Sequence, residues 1–195
     1  MHYTKDTIYH IFNQGNNKQN IFFERENYLF FLKKIRKHLS PHAEILCYCL
    51  MPNHFHLLIV PKEKGLELSK AIKPSKSGEN IYQQNLSHQI GVMISGYTKA
   101  INKRYNRSGS LFRGKTKAKD GFIDDLITID GKRRNLFFRL TNDYAIRCFH
   151  YIHDNPSAAK LCELPEQWEF SSARDYKGIR NGTLCNQILA KKLLF

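Results

Sequence analysis

A chain of 195 residues with 42% apolar side chains can build one hydrophobic core, and one domain over residues 1–195 is expected. A formal net charge of +14 and a pI near 9.6 on such a chain describe a folded protein with a polyanionic partner, nucleic acid ahead of an anionic membrane surface, and exclude a disordered basic tail. The five cysteines contain no C-x-x-C pair, which argues against a disulfide framework or structural zinc. No apolar run approaches bilayer length and MHYTKDTIYH lacks a secretory core, so a cytoplasmic protein with reduced, mostly buried thiols and no membrane partner is expected.

In chain order, DTIYHIFNQGN reads as a first strand stopped by Gln14-Gly15-Asn16. ENYLFFLKKIRKHL places Leu29, Phe30, Leu32 and Ile35 at helical spacing opposite Lys33, Lys34, Arg36 and Lys37. EILCYCLMPNHFHLLIVP predicts two strands, 44–51 and 54–60, reversing at Pro52-Asn53. LELSKAI predicts a short helix ended by Pro74, KPSKSGEN a polar loop, and residues 81–106 a longer helix with Leu86, Ile90, Met93, Tyr97, Ile101 and Tyr105 on one stripe. LFRGKTKAK reads as a fourth strand. DDLITI and NLFFRL flank the turn signal Asp130-Gly131, and YAIRCFHYIHDN predicts a helix ended by Pro156. The order β-α-β-β-α-β before the final helices predicts an α+β fold: a ferredoxin-like antiparallel sheet with helices on one face, extended by a C-terminal helical segment.

Three features carry chemistry. His54 and His56 stand at i and i+2 on a strand, so both imidazoles face one side, near enough to share a divalent metal; alone, such a pair reads sooner as polar residues on a solvent-facing strand and needs further residues to mark a site. In RCFHYIHDNP the apolar stripe is Ala145, Cys148, Phe149 and Ile152, which puts Tyr151 and Asn155 one turn apart on its shoulder. Of ten tyrosines only Tyr151 has this setting, since Tyr97 and Tyr105 fall on a packing stripe and Tyr48 alternates with Cys47 and Cys49. An ordinary phenol needs a metal or base nearby to act as a nucleophile. From Lys99 to Lys119 the chain is basic and free of acids: Lys99, Lys103, Arg104, Arg107, Arg113, Lys115 and Lys117 are candidate phosphate contacts, with Phe112 available to stack on a base. The cluster Lys132, Arg133 and Arg134 reads equally as a solvated hairpin tip and is left outside the site.

MPNHFHLL resembles the histidine–bulky apolar–histidine (HUH) motif of single-tyrosine transposases, and YIHDNP resembles the YIxxNP helix motif that carries their nucleophile. With HIFNQGNNKQNIFF, GSLFRGKTKAK and WEFSSARDY in family order, the chain is similar to the REP-associated tyrosine transposases, from which it departs by added residues near 73–80 and 121–142 and by PSAAKLC after the NP pair. The resemblance implies a tyrosine transposase that cleaves single-stranded or hairpin DNA and transfers the strand through a 5′-phosphotyrosine made by Tyr151. It also implies Mg²⁺ or Mn²⁺ on His54, His56 and Asn155, a bacterial cytoplasmic protein at the nucleoid when bound to DNA, and a homodimer as the alternative to a monomer. Two rival readings keep the same residues: a nucleic-acid-binding module without catalysis, and a metal-dependent phosphodiesterase that uses water.

Overall fold

The computed structural model describes residues 2–70, 82–114, 116–120 and 140–195. Strand β1 (Tyr9–Gln14) leads to helix α1 (Arg25–His38), and β2 (Ala43–Met51) and β3 (His54–Pro61) follow as a hairpin. Next come α2 (Glu63–Leu66), β4 (Leu68–Lys70), β5 (Tyr82–Gln84) and the long α3 (Asn85–Arg104), then β6 (Lys117–Asp120), α4 (Leu140–Ala158), α5 (Ala173–Tyr176) and α6 (Gln187–Leu194). The antiparallel sheet runs β2-β3-β1-β6, the ferredoxin-like order.

Period-two alternation separates the sheet into two apolar faces. Ile11, Ile45, Tyr48, Phe55, Leu57 and Ile59 meet α1 and α3 through Phe31, Ile35, Met93, Tyr97 and Ile101. Leu46, Cys47, Cys49, Met51 and Leu58 meet α4 and α6 through Ala145, Cys148, Phe149, Ile152, Ala190 and Leu194. A bulge in β2 between Ile45 and Cys47 puts both Leu46 and Cys47 on the α4 side, widening that apolar patch. Each fully buried Leu, Ile or Phe stabilises by roughly 1.5–3 kcal/mol, so the two layers hold the sheet rigidly from both sides. α1 starts where Asn27 turns its side chain back to accept from the Phe23 and Glu24 amides at 2.9 and 3.3 Å.

The outer edge of β2 is closed by a later segment. Leu50 N–H donates to Phe170 O at 2.9 Å, Ser172 N–H to Tyr48 O at 3.0 Å, and the Trp168 indole to Leu50 O at 2.9 Å. Arg180 binds Asp175 through Nε at 2.6 Å and Nη2 at 3.0 Å, and also donates to Tyr48 Oη, Ser171 O and Glu169 O. The expected thiols are free, with Cys47, Cys49, Cys148 and Cys185 buried and Cys162 half-buried.

Several local expectations are corrected. Leu68–Lys70 is a strand paired with Tyr82–Gln84, not the middle of a helix, because the helix before it stops at Leu66. α3 therefore starts at Asn85. The strand expected over 111–119 is confined to Lys117–Asp120, since residues 111–113 instead bond to the end of β1 and its turn through Asn16 N–H to Leu111 O and Arg113 N–H to Gln14 O. Pro156 does not end α4: a proline in the last turn costs one intrahelical bond, and the helix runs on to Ala158. Phe112 is 3% exposed and packs on Phe31, Phe55 and Tyr97, so it cannot stack on a base. The 73–80 addition, Lys115, the Lys132–Arg134 cluster and the expected 124–140 hairpin up to residue 139 lie outside the described residues. Leu140–Asn142 open α4.

Candidate active cleft

His54 and His56 project from β3 toward α4, in register with Gln14 and Phe12 of β1 and with Met51 and Cys49 of β2. The α4 stripe formed by Ala145, Cys148, Phe149 and Ile152 seats the helix on that face, which leaves the shoulder bearing Tyr151 and Asn155 over the histidines. A cleft of about 390 Å³ results, lined by Phe12, Asn13, Gln14, His54, His56, Arg113, Lys117, Tyr151 and Asn155. The Tyr151 ring meets the His56 ring edge-on, centroids 5.4 Å apart, yet the tyrosine stays 53% exposed. The pair on the strand is not solvent-facing: His54 is half-buried and His56 only 5% exposed.

The hydrogen bonds define what each ring nitrogen offers. Asn53 Nδ2 donates to Lys18 O, which turns its Oδ1 to His54 Nδ1 at 2.6 Å and leaves that nitrogen as the donor. Asn155 Nδ2 donates to Tyr151 O at 2.8 Å, which turns its Oδ1 to His54 Nε2 at 3.4 Å. Burial holds His54 below the ordinary imidazole range; it also pushes His56 down to about 2, with His10 and His54 adding to the effect. Both rings are thus neutral near pH 7, and His54 Nε2 and Asn155 Oδ1 face each other as two acceptors without a proton between them. His56 Nε2 is buried and has no partner among the described residues.

Two imidazole nitrogens and one amide oxygen fit a divalent cation. No three His, Cys, Asp or Glu side chains are arranged among the described residues so as to hold a metal ion by themselves, so an anionic cage of the calcium type is not on offer there. Three neutral donors suit an ion whose remaining positions are filled by water or by the oxygens of a bound phosphate.

The basic residues divide between two places. Arg113 and Lys117 line the cleft, Arg113 because Asn13 holds the loop through Nδ2 to Arg113 O and Thr116 Oγ1, Lys117 because it pairs with Phe12. Lys99, Lys103 and Arg104 are exposed on α3, across the sheet from the histidines; Arg104 is 2.6 Å from Glu24 and Arg107 is bonded to Gln19. Sequence reasoning missed the contributions of β1 and its neighbouring turn, namely Phe12, Asn13 and Gln14 in the cleft lining, Asn53 behind His54, and His10. His10 of β1 binds His56 Nδ1 through Nε2 at 2.8 Å, and only its place on the Phe12–Gln14 side of the strand, at period two, could have flagged it.

No helix among the described residues is long and apolar enough to cross a membrane. A scan against protein-family profiles finds no match, and neither does a search of curated proteins. Among solved structures, a REP-associated tyrosine transposase bound to a REP hairpin is similar over 90% of this chain and 81% of its own, with a TM-score of 0.55 and 15% sequence identity. The resemblance met in the sequence motifs thus extends to the fold, and this chain folds as that tyrosine transposase does.

Proposed function

We propose that this protein processes single-stranded or hairpin DNA as a REP-associated type of tyrosine transposase, cutting a strand and rejoining it through a 5′-phosphotyrosine. The observation that carries the reading is the convergence of His54, His56, Tyr151 and Asn155 in one cleft from segments 101 residues apart. The fold shared with a transposase that holds a REP hairpin supports the same class of partner here. Tyr151 Oη attacks the scissile phosphorus, the bond to the 3′-oxygen breaks, the phenol loses its proton to solvent and the departing oxygen takes one up. A Mg²⁺ or Mn²⁺ ion on His54, His56 and Asn155 would supply Lewis acidity to a non-bridging phosphate oxygen. Arg113 and Lys117 neutralise neighbouring phosphates, while Lys99, Lys103, Arg104 and Arg107 reach only DNA that continues past the cleft. Because the tyrosyl link keeps the energy of the phosphodiester, a second 3′-hydroxyl attacks the same phosphorus and joins strands without nucleotide hydrolysis.

The test is a denaturing gel with hairpin-bearing single-stranded DNA and Mn²⁺. The wild type gives a protein–DNA band that carries label placed 3′ of the cut and none placed 5′ of it; Tyr151→Phe loses the band and keeps DNA binding, and Tyr105→Phe retains it. Cut products without an adduct would point to a phosphodiesterase using water, and binding without products to a non-catalytic module.

A further inference from the structure

We infer that His10 is a positioning residue that holds His56 in the tautomer presenting an Nε2 lone pair to the cleft; the inference deepens the metal reading above and rests on it. His10 lies between the two walls of the site. Its Nε2 is 2.8 Å from His56 Nδ1, its Nδ1 is 3.9 Å from Cys148 Sγ on α4, and its ring stacks on that of His56 at 5.0 Å and 28°. It is itself buried.

A nitrogen–nitrogen bond of this length carries one proton, and two arrangements are available to the row Cys148–His10–His56. In the first, the thiol donates to His10 Nδ1, His10 Nε2–H donates to His56 Nδ1, and the proton of His56 sits on Nε2. That leaves a buried N–H aimed into the cleft with no acceptor among the described residues, which costs the desolvation of a donor, and it removes the lone pair that would take a cation. In the second, His10 Nδ1–H faces the sulfur, His56 Nδ1–H donates to His10 Nε2, and the unpartnered atom is an acceptor. The second arrangement is the one a ligating imidazole requires, and it repeats at His10 what Asn53 does for His54: each ring's Nδ1–H is engaged from behind so that Nε2 points forward. The two partners come from different places, Asn53 from the turn before β3 and His10 from the neighbouring strand.

The experiment uses the full chain as wild type, His10→Phe and His10→Gln. Phenylalanine keeps the ring volume and loses the acceptor; glutamine restores an acceptor oxygen. Two readouts run in parallel: the ¹⁵N resonances of the His56 ring in metal-free protein, and Mn²⁺ titration followed by the electron paramagnetic resonance of the free ion. In the wild type His56 is protonated at Nδ1. In His10→Phe the proton moves to Nε2 and Mn²⁺ binds roughly 10- to 100-fold more weakly, as when other ligating histidines are deprived of their outer partners, with most of the affinity recovered in His10→Gln. An Nε2-protonated His56 in the wild type, or unchanged Mn²⁺ affinity in a folded His10→Phe, would overturn the role of His10. A wild-type chain that binds no Mn²⁺ would instead overturn the metal centre, and the His56 resonances would still decide the tautomer.

Discussion

Replacing Asp175 by asparagine tests whether the segment that closes the β2 edge is held by charge. The Asp175 side chain is 1% exposed and its carboxylate accepts from Arg180 Nε at 2.6 Å, Arg180 Nη2 at 3.0 Å and Gly182 N at 3.1 Å. Asparagine keeps the shape, but turns an NH₂ group or a weaker acceptor toward the guanidinium and leaves Arg180 with three neutral acceptors only. Breaking one side of a buried pair costs about 3–5 kcal/mol. Since Arg180 retains 30% of its side-chain exposure and some hydration, the lower end applies, about 3 kcal/mol. For a chain of this size each kcal/mol moves the melting point by roughly 2–4 °C, so Asp175→Asn should melt about 6–12 °C below wild type, with a matching drop in the urea midpoint at unchanged slope. A loss under about 1 kcal/mol would mean that water screens the pair as at an ordinary surface and would refute the reasoning.

The cleft cations should outweigh those on α3: each phosphate of a single strand that is no longer neutralised lowers the salt slope by about 0.7, so Arg113→Ala with Lys117→Ala should flatten a plot of log K against log salt by about 1.4, and Lys99→Ala with Lys103→Ala should leave it unchanged for a single strand short enough to end within the cleft. Gly15→Ala drives a Cβ into the Gln19 carbonyl oxygen, while the Gly15 amide donates to Asn53 O; urea melts should show a loss of about 1–3 kcal/mol, and cleavage should suffer with it because Asn53 orients His54. Ile152→Ala, fully buried beneath α4, should cost about 2–5 kcal/mol by thermal melt and lower the rate of adduct formation, since it unseats the helix next to its tyrosine.

Features with a short period are readable in the residues themselves. His54 and His56 at period two, and Tyr151 and Asn155 at one helical turn, need only strand and helix geometry to be placed on common faces. The partner faces are not readable in the same way. His10 meets His56 across 46 residues, and no local pattern distinguishes a histidine paired to another strand from one that faces water. The basic run from Lys99 shows its charge but not its division, because the chain passes from α3 on one side of the sheet to β6 beside the cleft within it. Phe112 reads as a stacking platform from its basic neighbours alone, whereas its contacts with Phe31, Phe55 and Tyr97 come from three separate elements. The three-residue pairing of β4 with β5 is too short to leave a periodic signal, and an adjoining helical spacing hides it.

The closure of β2 by Phe170–Ser172 bears on how the chain is made. During synthesis the hairpin of β2 and β3 leaves the ribosome more than a hundred residues before the segment that occupies its edge, with the Leu46–Met51 face still awaiting α4 and α6. For that interval the nascent protein carries an unpaired, apolar strand edge, which is a template for pairing with another chain. Products that stop after α4 would keep that edge open permanently, so truncation near residue 160 should yield insoluble protein where single substitutions yield merely weakened folds. The segment after α4 then acts as a stopper for the sheet, applied once the hairpin and α4 are already in place.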